Sequence, residues 1–138
     1  MKRRSVEIMI RAAKPTDAAV WESMRRELWP DGAEDHASEI TMFFAGHKFE
    51  DLTAALVAES RSGAIVGFVE LSIRNDLPGL HGRRTGYVEG LYVSPEVRST
   101  GVAQKLLQAS RSWAREQRCV AFASDRAGRI IVDRSFAG

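Results

Sequence analysis

Residues 98–103, with the sequence RSTGVA, have the types and spacing of an anion-binding turn. They lie between a strand-like run that ends at Val93 and a helical stripe of apolar side chains. The first amides of a helix have no partner within it, and they lie at the positive end of the helix dipole. Gly101 lets the backbone approach a phosphate closely, and Arg98 can add a full positive charge. Because the chain has neither a GxxxxGK[ST] nor a GxGxxG pattern, the turn predicts a pyrophosphate cradle without an obvious magnesium ligand.

The elements that must position this turn begin with a strand and two helices. Residues 5–11 alternate enough between apolar and polar side chains to predict a strand. The first helix ends near Pro30, because proline disfavours helical geometry in the preceding residue, and a second, short helix runs to Gly46. Residues 53–60 and 64–74 predict an antiparallel strand pair around a glycine-bearing turn. The helical spacing depends on Val20, Met24 and Leu28 in the first helix and on Ile40, Phe43 and Phe44 in the second.

The second half of the chain predicts a strand, a crossover helix and a last short strand. Residues 86–93 form the strand, and Gly90 within it is typical of a bulge or a close backbone approach. The helix over residues 101–117 then leads to a short buried strand at 120–123, which can lie beside the strand over 86–93. This order of elements predicts a mixed α/β fold.

Composition restricts the functional classes that the chain can belong to. Its 138 residues fit one compact domain, and 44% hydrophobic residues suffice for a core. A formal net charge of +2 is too small to argue for nucleic-acid binding. Residues 31–60 carry seven acids and one base, whereas residues 98–138 carry eight bases and three acids. One end therefore suits a cation and the other an anion, unless both are ordinary solvated faces.

Other residue types argue against membrane, disulfide and metal chemistry. No apolar run is long enough for a signal peptide or a membrane span, which predicts a cytoplasmic protein without a membrane partner. Cys119 is the single cysteine, and we expect it to be a small core residue. The three histidines, His36, His47 and His81, lack metal-ligand spacing, so we expect surface or loop positions and no metal.

At Arg98-x-x-Gly101-x-Ala103, between a VEGLYV strand and a helix, the sequence resembles the R/Q-x-x-G-x-G/A signature of the GNAT superfamily of N-acetyltransferases. Three stretches, Leu28-Trp29-Pro30, residues 87–107 and Ala123-Ser124-Asp125, resemble the aminoglycoside 6'-N-acetyltransferases, over roughly residues 9–125 in all. The resemblance implies a mixed, mainly antiparallel central sheet flanked by helices. It implies acetyl-CoA as co-substrate, no metal, and a small polycationic amine as the acceptor.

The resemblance also implies roles for individual residues. Backbone amides of residues 99–104 would hold the pyrophosphate, and strand residues 91–93 would pair with the pantetheine arm where two strands splay. Positions matching Trp29, Glu89 and Asp125 would contact the aminoglycoside, whose ammonium groups favour carboxylate partners. Glu89 is the best general-base candidate, directly or through a water, and a backbone N–H of residues 91–93 would polarise the thioester carbonyl. The predicted cofactor-binding residues are Leu91, Tyr92, Val93, Arg98, Ser99, Thr100, Gly101, Val102, Ala103 and Gln104.

The chain departs from the family pattern at its C-terminal end. Only thirteen residues follow Asp125, too few for the further helix and two strands that the family would show, and no tyrosine there matches its usual acid. Leu77 stands where the subfamily usually has a substrate-contacting tyrosine. We therefore expect one GNAT domain over residues 1–138, with C-terminal helix and strands missing or reduced after about residue 125. Residues 130–132 can form one strand, and a homodimer, with or without strand exchange, would cover an open sheet edge.

Three alternatives follow from the same residues. The enzyme could act on another amine, such as a polyamine or a protein N-terminus, although the acid-rich segment argues against a protein. The short C-terminal part instead favours a non-catalytic acyl-CoA-binding remnant or the product of a truncated gene. Without the resemblance, Trp29 could simply cap the core, and Glu89 and Asp125 could be ordinary surface acids.

Overall fold

The structure is a computed structural model that describes residues 7–31, 35–47 and 52–136. Its centre is a six-stranded sheet whose strands lie in sequence order. Every neighbouring pair is antiparallel except the fourth and fifth strands, which are parallel. The strands are β1 (Ile8–Ala12), β2 (Leu52–Ser60), β3 (Ile65–Arg74), β4 (Thr85–Val93), β5 (Ala121–Arg126) and β6 (Arg129–Val132). The helices are α1 (Ala18–Leu28), α2 (His36–Phe44) and α3 (Val102–Glu116).

The helices cover both faces of the sheet. Consecutive strand residues point to opposite faces, and Phe68 of β3 packs in a cluster with α1 and α2, whereas Val69 packs in a cluster with α3. On the α1 face, Trp21 is fully buried and meets the ring of Phe43 edge to face at 5.5 Å between centroids. The mixed α/β architecture predicted from the sequence is confirmed.

Helix α3 makes the crossover between the two parallel strands, as predicted. Its buried face carries Val102, Leu106 and Ala114. A Cβ at Gly86 of β4 would lie 2.7 Å from Cβ of Ala114, so a glycine is required where the helix crosses this strand. This contact joins the end of α3 to the beginning of β4, so the helix runs antiparallel to the strand and its own beginning lies near the end of β4.

The C-terminal residues complete the sheet and one side of the core. The sequence predicts that β5 ends at residue 123, which is wrong: it extends to Arg126, because residues 123–126 pair with β6. The predicted strand at residues 130–132 is present and pairs with β5 of the same chain. Residues 127–136 hold one short strand and no helix, and Phe136 stacks on Phe122 at 5.6 Å. Within the residues that the structure describes, no helix has the length and apolarity needed to cross a membrane.

Candidate active site

The parallel strands β4 and β5 separate halfway along the sheet. They pair from Thr85 and Ala121 to Val88 and Ser124, and the second half of β4 has no pairing with β5. At the same point the pairing between β4 and β3 shifts, so that Glu89 is the extra residue of a β-bulge. The sequence predicted a bulge near Gly90, and the structure has it at the adjoining residue.

Beyond the bulge, one edge of β4 faces the opening. Ser94 N donates to Val66 O at 2.8 Å, so Ser94 and Val66 are a hydrogen-bonded pair of the antiparallel ladder between β3 and β4. Hydrogen-bonded and non-hydrogen-bonded pairs alternate along an antiparallel ladder. The backbone N–H and C=O of Tyr92 therefore point to β3, and those of Leu91 and Val93 point to the side where β5 no longer pairs with β4. An extended ligand can therefore pair with β4 there as an added strand.

The predicted phosphate turn lies at the mouth of this opening. Ser99 and Gly101 both have positive φ, 68° and 92°, which turns the chain sharply into α3. Gly101 is the N-cap residue of α3, and no side chain among the described residues caps the helix. The first amides of α3 therefore remain available to an anion. Thr100 has a local role instead, since its hydroxyl donates to Val97 O.

Arg98 is engaged with β4 rather than extended toward the turn. Its Nε donates to the carbonyl oxygen of Val93 at 2.7 Å, and its guanidinium carbon lies 5.5 Å from the centroid of the Tyr92 ring. The Val93 carbonyl at the open edge thus already has a donor, while the backbone N–H and C=O of Leu91 remain available to a ligand.

A cavity of about 470 Å³ joins the open edge of β4 to the beginning of α3. An extended thiol arm and a diphosphate fit this arrangement, because strand edge and helix amides supply the two kinds of donor in sequence. Every predicted cofactor-binding residue except Thr100 lines it. The lining residues are Leu28, Leu91, Tyr92, Val93, Val97, Arg98, Ser99, Gly101, Val102, Ala103 and Gln104.

The carboxylate of Glu89 lies on the α1 face and is held by two side chains of β3. Its Oε2 accepts hydrogen bonds from the hydroxyl of Ser72 and from Arg74, at 3.0 Å from Nε and 2.7 Å from Nη2. No described residue donates to Oε1, and the side chain is 25% exposed. One oxygen is therefore oriented by the protein while the other can accept a proton or a cationic group.

The Trp29 ring packs on Gly90, the residue that follows Glu89 on β4. A Cβ at Gly90 would lie 2.6 Å from Cη2 and Cζ2 of Trp29, so a side chain at this position would displace the indole. Leu28, which precedes Trp29, lines the cavity along β4. The end of α1 thus lines the cavity through Leu28, and the residue after it, Trp29, packs on the backbone beside Glu89.

Asp125 lies on β5, one residue beyond its last pairing with β4. It is exposed, and its Oδ1 accepts a hydrogen bond from Gly128 N at 3.1 Å in the turn to β6. Burial raises the pKa of Tyr87, and the charges of Asp125 and Glu89 raise this pKa further. The negative charges of Asp125 and Glu89 therefore both influence the Tyr87 hydroxyl, and the structure brings the two predicted acids to one region.

Sequence reasoning missed the polar side chains of β3. Glu70, Ser72 and Arg74 alternate in the run GFVELSIR, and a period of two puts them on one face. Three polar residues at this spacing in a strand that is otherwise buried could have indicated a polar site. In the acid-rich segment over residues 31–60, Asp35 caps α2, Glu39 binds Arg25 and Glu59 binds Arg11. Glu34, Glu50 and Asp51 lie outside the described residues, so the expected cation-binding face stays a prediction.

The structure confirms the prediction for Cys119 and corrects the prediction for His36. Cys119 is buried as predicted, and burial raises the pKa of its thiol. In the part of the chain that the structure describes, no group of three or more His, Cys, Asp or Glu side chains could hold a metal ion. The surface position expected for His36 is wrong: it is 5% exposed, because Arg25 and the Trp29 ring cover it.

Comparison with known proteins agrees with this geometry. The Acetyltransferase (GNAT) family matches residues 20–130. Aminoglycoside N(6')-acetyltransferase type 1 of Klebsiella aerogenes is 42% identical over 118 residues, which are 85% of this chain and 77% of that protein. The protein of the same name from Stenotrophomonas maltophilia is 38% identical over 117 residues, 84% of this chain and 73% of that protein.

Solved structures give the same relationship. Aminoglycoside N-acetyltransferase AAC(6')-Iy in complex with CoA matches with a TM-score of 0.76 at 29% identity. The match covers 92% of this chain and 82% of the AAC(6')-Iy chain. AAC(6')-Iy with the bisubstrate analogue CoA-S-monomethyl-acetylneamine also has a TM-score of 0.76 at 29% identity, over 88% and 80%. The resemblance predicted from the sequence is confirmed.

Proposed function

The chain belongs to the Acetyltransferase (GNAT) family, and from this premise we propose that it transfers an acetyl group from acetyl-CoA to the 6'-amine of an aminoglycoside. Such a reaction would confer resistance to the antibiotic. The proposal needs an extended thioester site, an acceptor for the proton of the attacking amine, and a surface that recognises a polycation.

One observation carries the proposal: the bulge at Glu89 lies where β5 separates from β4. The carboxylate thereby belongs to the residue that immediately precedes the open edge of β4. A thioester that pairs with this edge and an amine that approaches Glu89 would meet at the same point. Proximity of this kind is a large part of the rate of a two-substrate reaction.

The cofactor side of the site consists of the open edge at Leu91 and Val93 and the turn over residues 98–104. The amides at the beginning of α3 would hold the diphosphate of acetyl-CoA, which supplies an activated acetyl thioester when bound. The N–H groups of Leu91 and Val93 point into the opening, and Leu91 N–H, the nearer of the two to Glu89 along β4, is the proposed donor to the thioester carbonyl oxygen. Arg98 would keep the end of β4 in place through Val93 O.

The acceptor side consists of Glu89 with Trp29 and Asp125 nearby. An aminoglycoside ammonium group must lose a proton before its nitrogen can attack, and Oε1 of Glu89 is the candidate acceptor. Ser72 and Arg74 orient the carboxylate through Oε2. Trp29 gives an apolar surface for a sugar ring, and Asp125 adds a second carboxylate for a further ammonium group.

The decisive experiment mixes purified protein with acetyl-CoA and kanamycin or tobramycin and follows free thiol. We expect thiol release that requires the drug, with mass spectrometry showing one added acetyl group on the 6'-amine. Polyamines and a peptide with a free N-terminus serve as comparison acceptors. Release with those amines alone would overturn the aminoglycoside assignment, and acetyl-CoA binding without any release would identify a non-catalytic acyl-CoA-binding domain.

We also propose that residues 1–138 form a single domain, that the protein is cytoplasmic and that it forms a homodimer. The edge strand β6 supports the dimer, since Ile131 and Val132 are 47% and 38% exposed there. Sedimentation equilibrium of the wild type and of Ile131→Lys would test it. A monomer in both samples would contradict the dimer.

A further inference from the structure

A buried arginine on α1 is paired with a buried carboxylate of the sheet. Arg25 is 4% exposed and Glu70 of β3 is 2% exposed. Arg25 donates from Nε to Oε2 of Glu70 at 2.7 Å and from Nη2 to Oε1 at 3.2 Å, and Trp21 Nε1 adds a donor at 2.9 Å to Oε2. The guanidinium is therefore fixed in position and orientation by a two-point contact with the sheet.

The same guanidinium also binds α2. Its Nη1 donates to Oε1 of Glu39 at 2.6 Å and lies 3.1 Å from Nδ1 of His36. Because a guanidinium has no acceptor, Nδ1 of His36 must accept this hydrogen bond. One side chain thus connects α1, α2 and β3.

Trp29 lies against this cluster. The guanidinium carbon of Arg25 is 5.2 Å from the centroid of the Trp29 ring, and the His36 ring stacks on Trp29 at 6.4 Å with an interplanar angle of 25°. The indole also packs on Gly90, next to Glu89. Arg25, His36 and the backbone of β4 therefore fix the indole from several directions.

A contribution to stability does not by itself account for so many buried charges. Replacing a buried ion pair by apolar side chains often leaves stability unchanged or improves it. The cluster does, however, define one arrangement of α1, α2 and Trp29, which apolar packing would specify less uniquely. A site that must orient an amine beside Glu89 needs such an arrangement, since small displacements of a reactant cost much rate.

We propose that Arg25 is a positioning residue for the acceptor: paired with Glu70, it holds the Trp29 ring on Gly90 so that the amine is aligned with Glu89. The inference rests on the proposed function and deepens it. Arg25 acts on the amine through Trp29, and it leaves the cofactor turn of α3 untouched, because none of its described contacts reaches residues 98–104.

Arg25→Met tests the proposal, and Arg26→Met is its matched control. Arg26 is the next residue on α1, but its side chain is 66% exposed and binds only Glu22 among the described residues. We expect Arg25→Met to lower kcat/KM for the aminoglycoside about tenfold to a hundredfold, with the Kd for acetyl-CoA unchanged in calorimetry. Arg26→Met should match the wild type in both. An equal loss of amine and acetyl-CoA recognition in Arg25→Met would overturn the proposal.

A double-mutant cycle with Trp29→Ala separates positioning from a general loss of structure. If Arg25 acts through Trp29, Arg25→Met should have little further effect on kcat/KM once Trp29 is absent. Full additivity of the two changes would overturn the proposal. Should Arg25→Met fail to fold, Glu39→Gln, which removes the negative charge paired with Arg25 at the edge of the cluster, enters the same cycle with a smaller expected loss.

A readout without activity distinguishes this inference from the proposed function. The chain has three tryptophans, and labelling with 6-fluorotryptophan gives three ¹⁹F resonances, of which Trp29→Phe identifies one. We expect the Trp29 resonance to shift or broaden in Arg25→Met and to stay unchanged in Arg26→Met, while that of Trp113 on α3 stays unchanged in both. A Trp29 resonance that is identical in wild type and Arg25→Met would overturn the proposal even if the enzyme acetylates aminoglycosides. A shifted resonance in a protein without that activity would contradict the proposed function, while the part of the inference in which Arg25 holds the Trp29 ring would stand.

Discussion

The two sides of the opening between β4 and β5 are built differently. The proposed cofactor side comes almost entirely from residues 91–104, and it offers backbone groups: a strand edge that β5 leaves unpaired and the first amides of a helix. The acceptor side comes from α1, β3, β4 and β5, and it offers side chains such as Trp29, Glu89 and Asp125. Backbone donors can bind acetyl-CoA whatever side chains surround them, whereas the choice of amine depends on residues that only the fold brings together.

This difference predicts that single substitutions will affect the two substrates separately. Changes at the acceptor side should alter amine turnover and leave the affinity for acetyl-CoA intact. Changes at the turn over residues 98–104 should do the reverse.

Glu89→Gln should have the largest effect. It removes the proposed proton acceptor and keeps the shape of the side chain, so we expect kcat to fall by roughly 10² to 10⁴. The Kd for acetyl-CoA, measured by calorimetry, should stay within about twofold. Glu116→Gln at the exposed end of α3 is the control and should behave as wild type. Equal loss of turnover and acetyl-CoA affinity in Glu89→Gln would remove Glu89 from its proposed role.

Gly90→Ala should have the next largest effect, because the added methyl group would come within 2.6 Å of the Trp29 ring and displace it. We expect kcat/KM for the aminoglycoside to fall roughly tenfold to a hundredfold, with acetyl-CoA binding nearly unchanged. In a Trp29→Ala background, where the nearest remaining atom is Cδ2 of Leu28 at 3.3 Å, Gly90→Ala should add little. A loss of the same size in both backgrounds would show that the ring is not the cause.

Gly101→Ala should act on the cofactor side instead. Its φ of 92° lies in the left-handed region, where a side chain costs about 1–2 kcal/mol, and relaxation of the turn would misalign the amides of α3. We therefore expect the Kd for acetyl-CoA to rise roughly 5- to 30-fold, with the KM for the amine little changed. Gly63→Ala is the matched control, since Gly63 has a φ of 90° in the turn between β2 and β3. If both variants weaken acetyl-CoA binding equally, the turn has no special role.

Asp17→Asn should affect neither substrate and should change only stability. Hydrogen bonds from Arg11 hold the pKa of the Asp17 carboxyl below its usual value. A lowered pKa adds stability above the pKa of the unfolded chain, and this stability is lost as pH falls through the folded-state pKa, below about pH 4. Urea unfolding should show a loss of about 1–3 kcal/mol for Asp17→Asn at pH 7 and a smaller difference at pH 3. A difference that is the same at both pH values would contradict this account.

The order of elements and the cofactor turn could be predicted from the sequence because both depend on local pattern. Hydrophobic periodicity located the helices and most strands, and residues 98–103 have the spacing of an anion-binding turn wherever they precede a helix. The boundary of β5 was missed because Asp125 and Arg126 are paired with β6, a strand that contributes only four residues. Pairing partners of this kind leave no trace in the periodicity of the strand itself.

The acceptor side shows what only the tertiary structure decided. The sequence by itself, through its resemblance to a family, led to the prediction of Trp29, Glu89 and Asp125 as acceptor residues, but it did not indicate Ser72 and Arg74 as the partners of Glu89. Nor did it give the burial of Arg25, His36 and Glu70, whose residue types are mostly found at protein surfaces. A charged side chain is buried only when a distant part of the chain supplies its counterion, so its environment is decided by packing and not by local sequence.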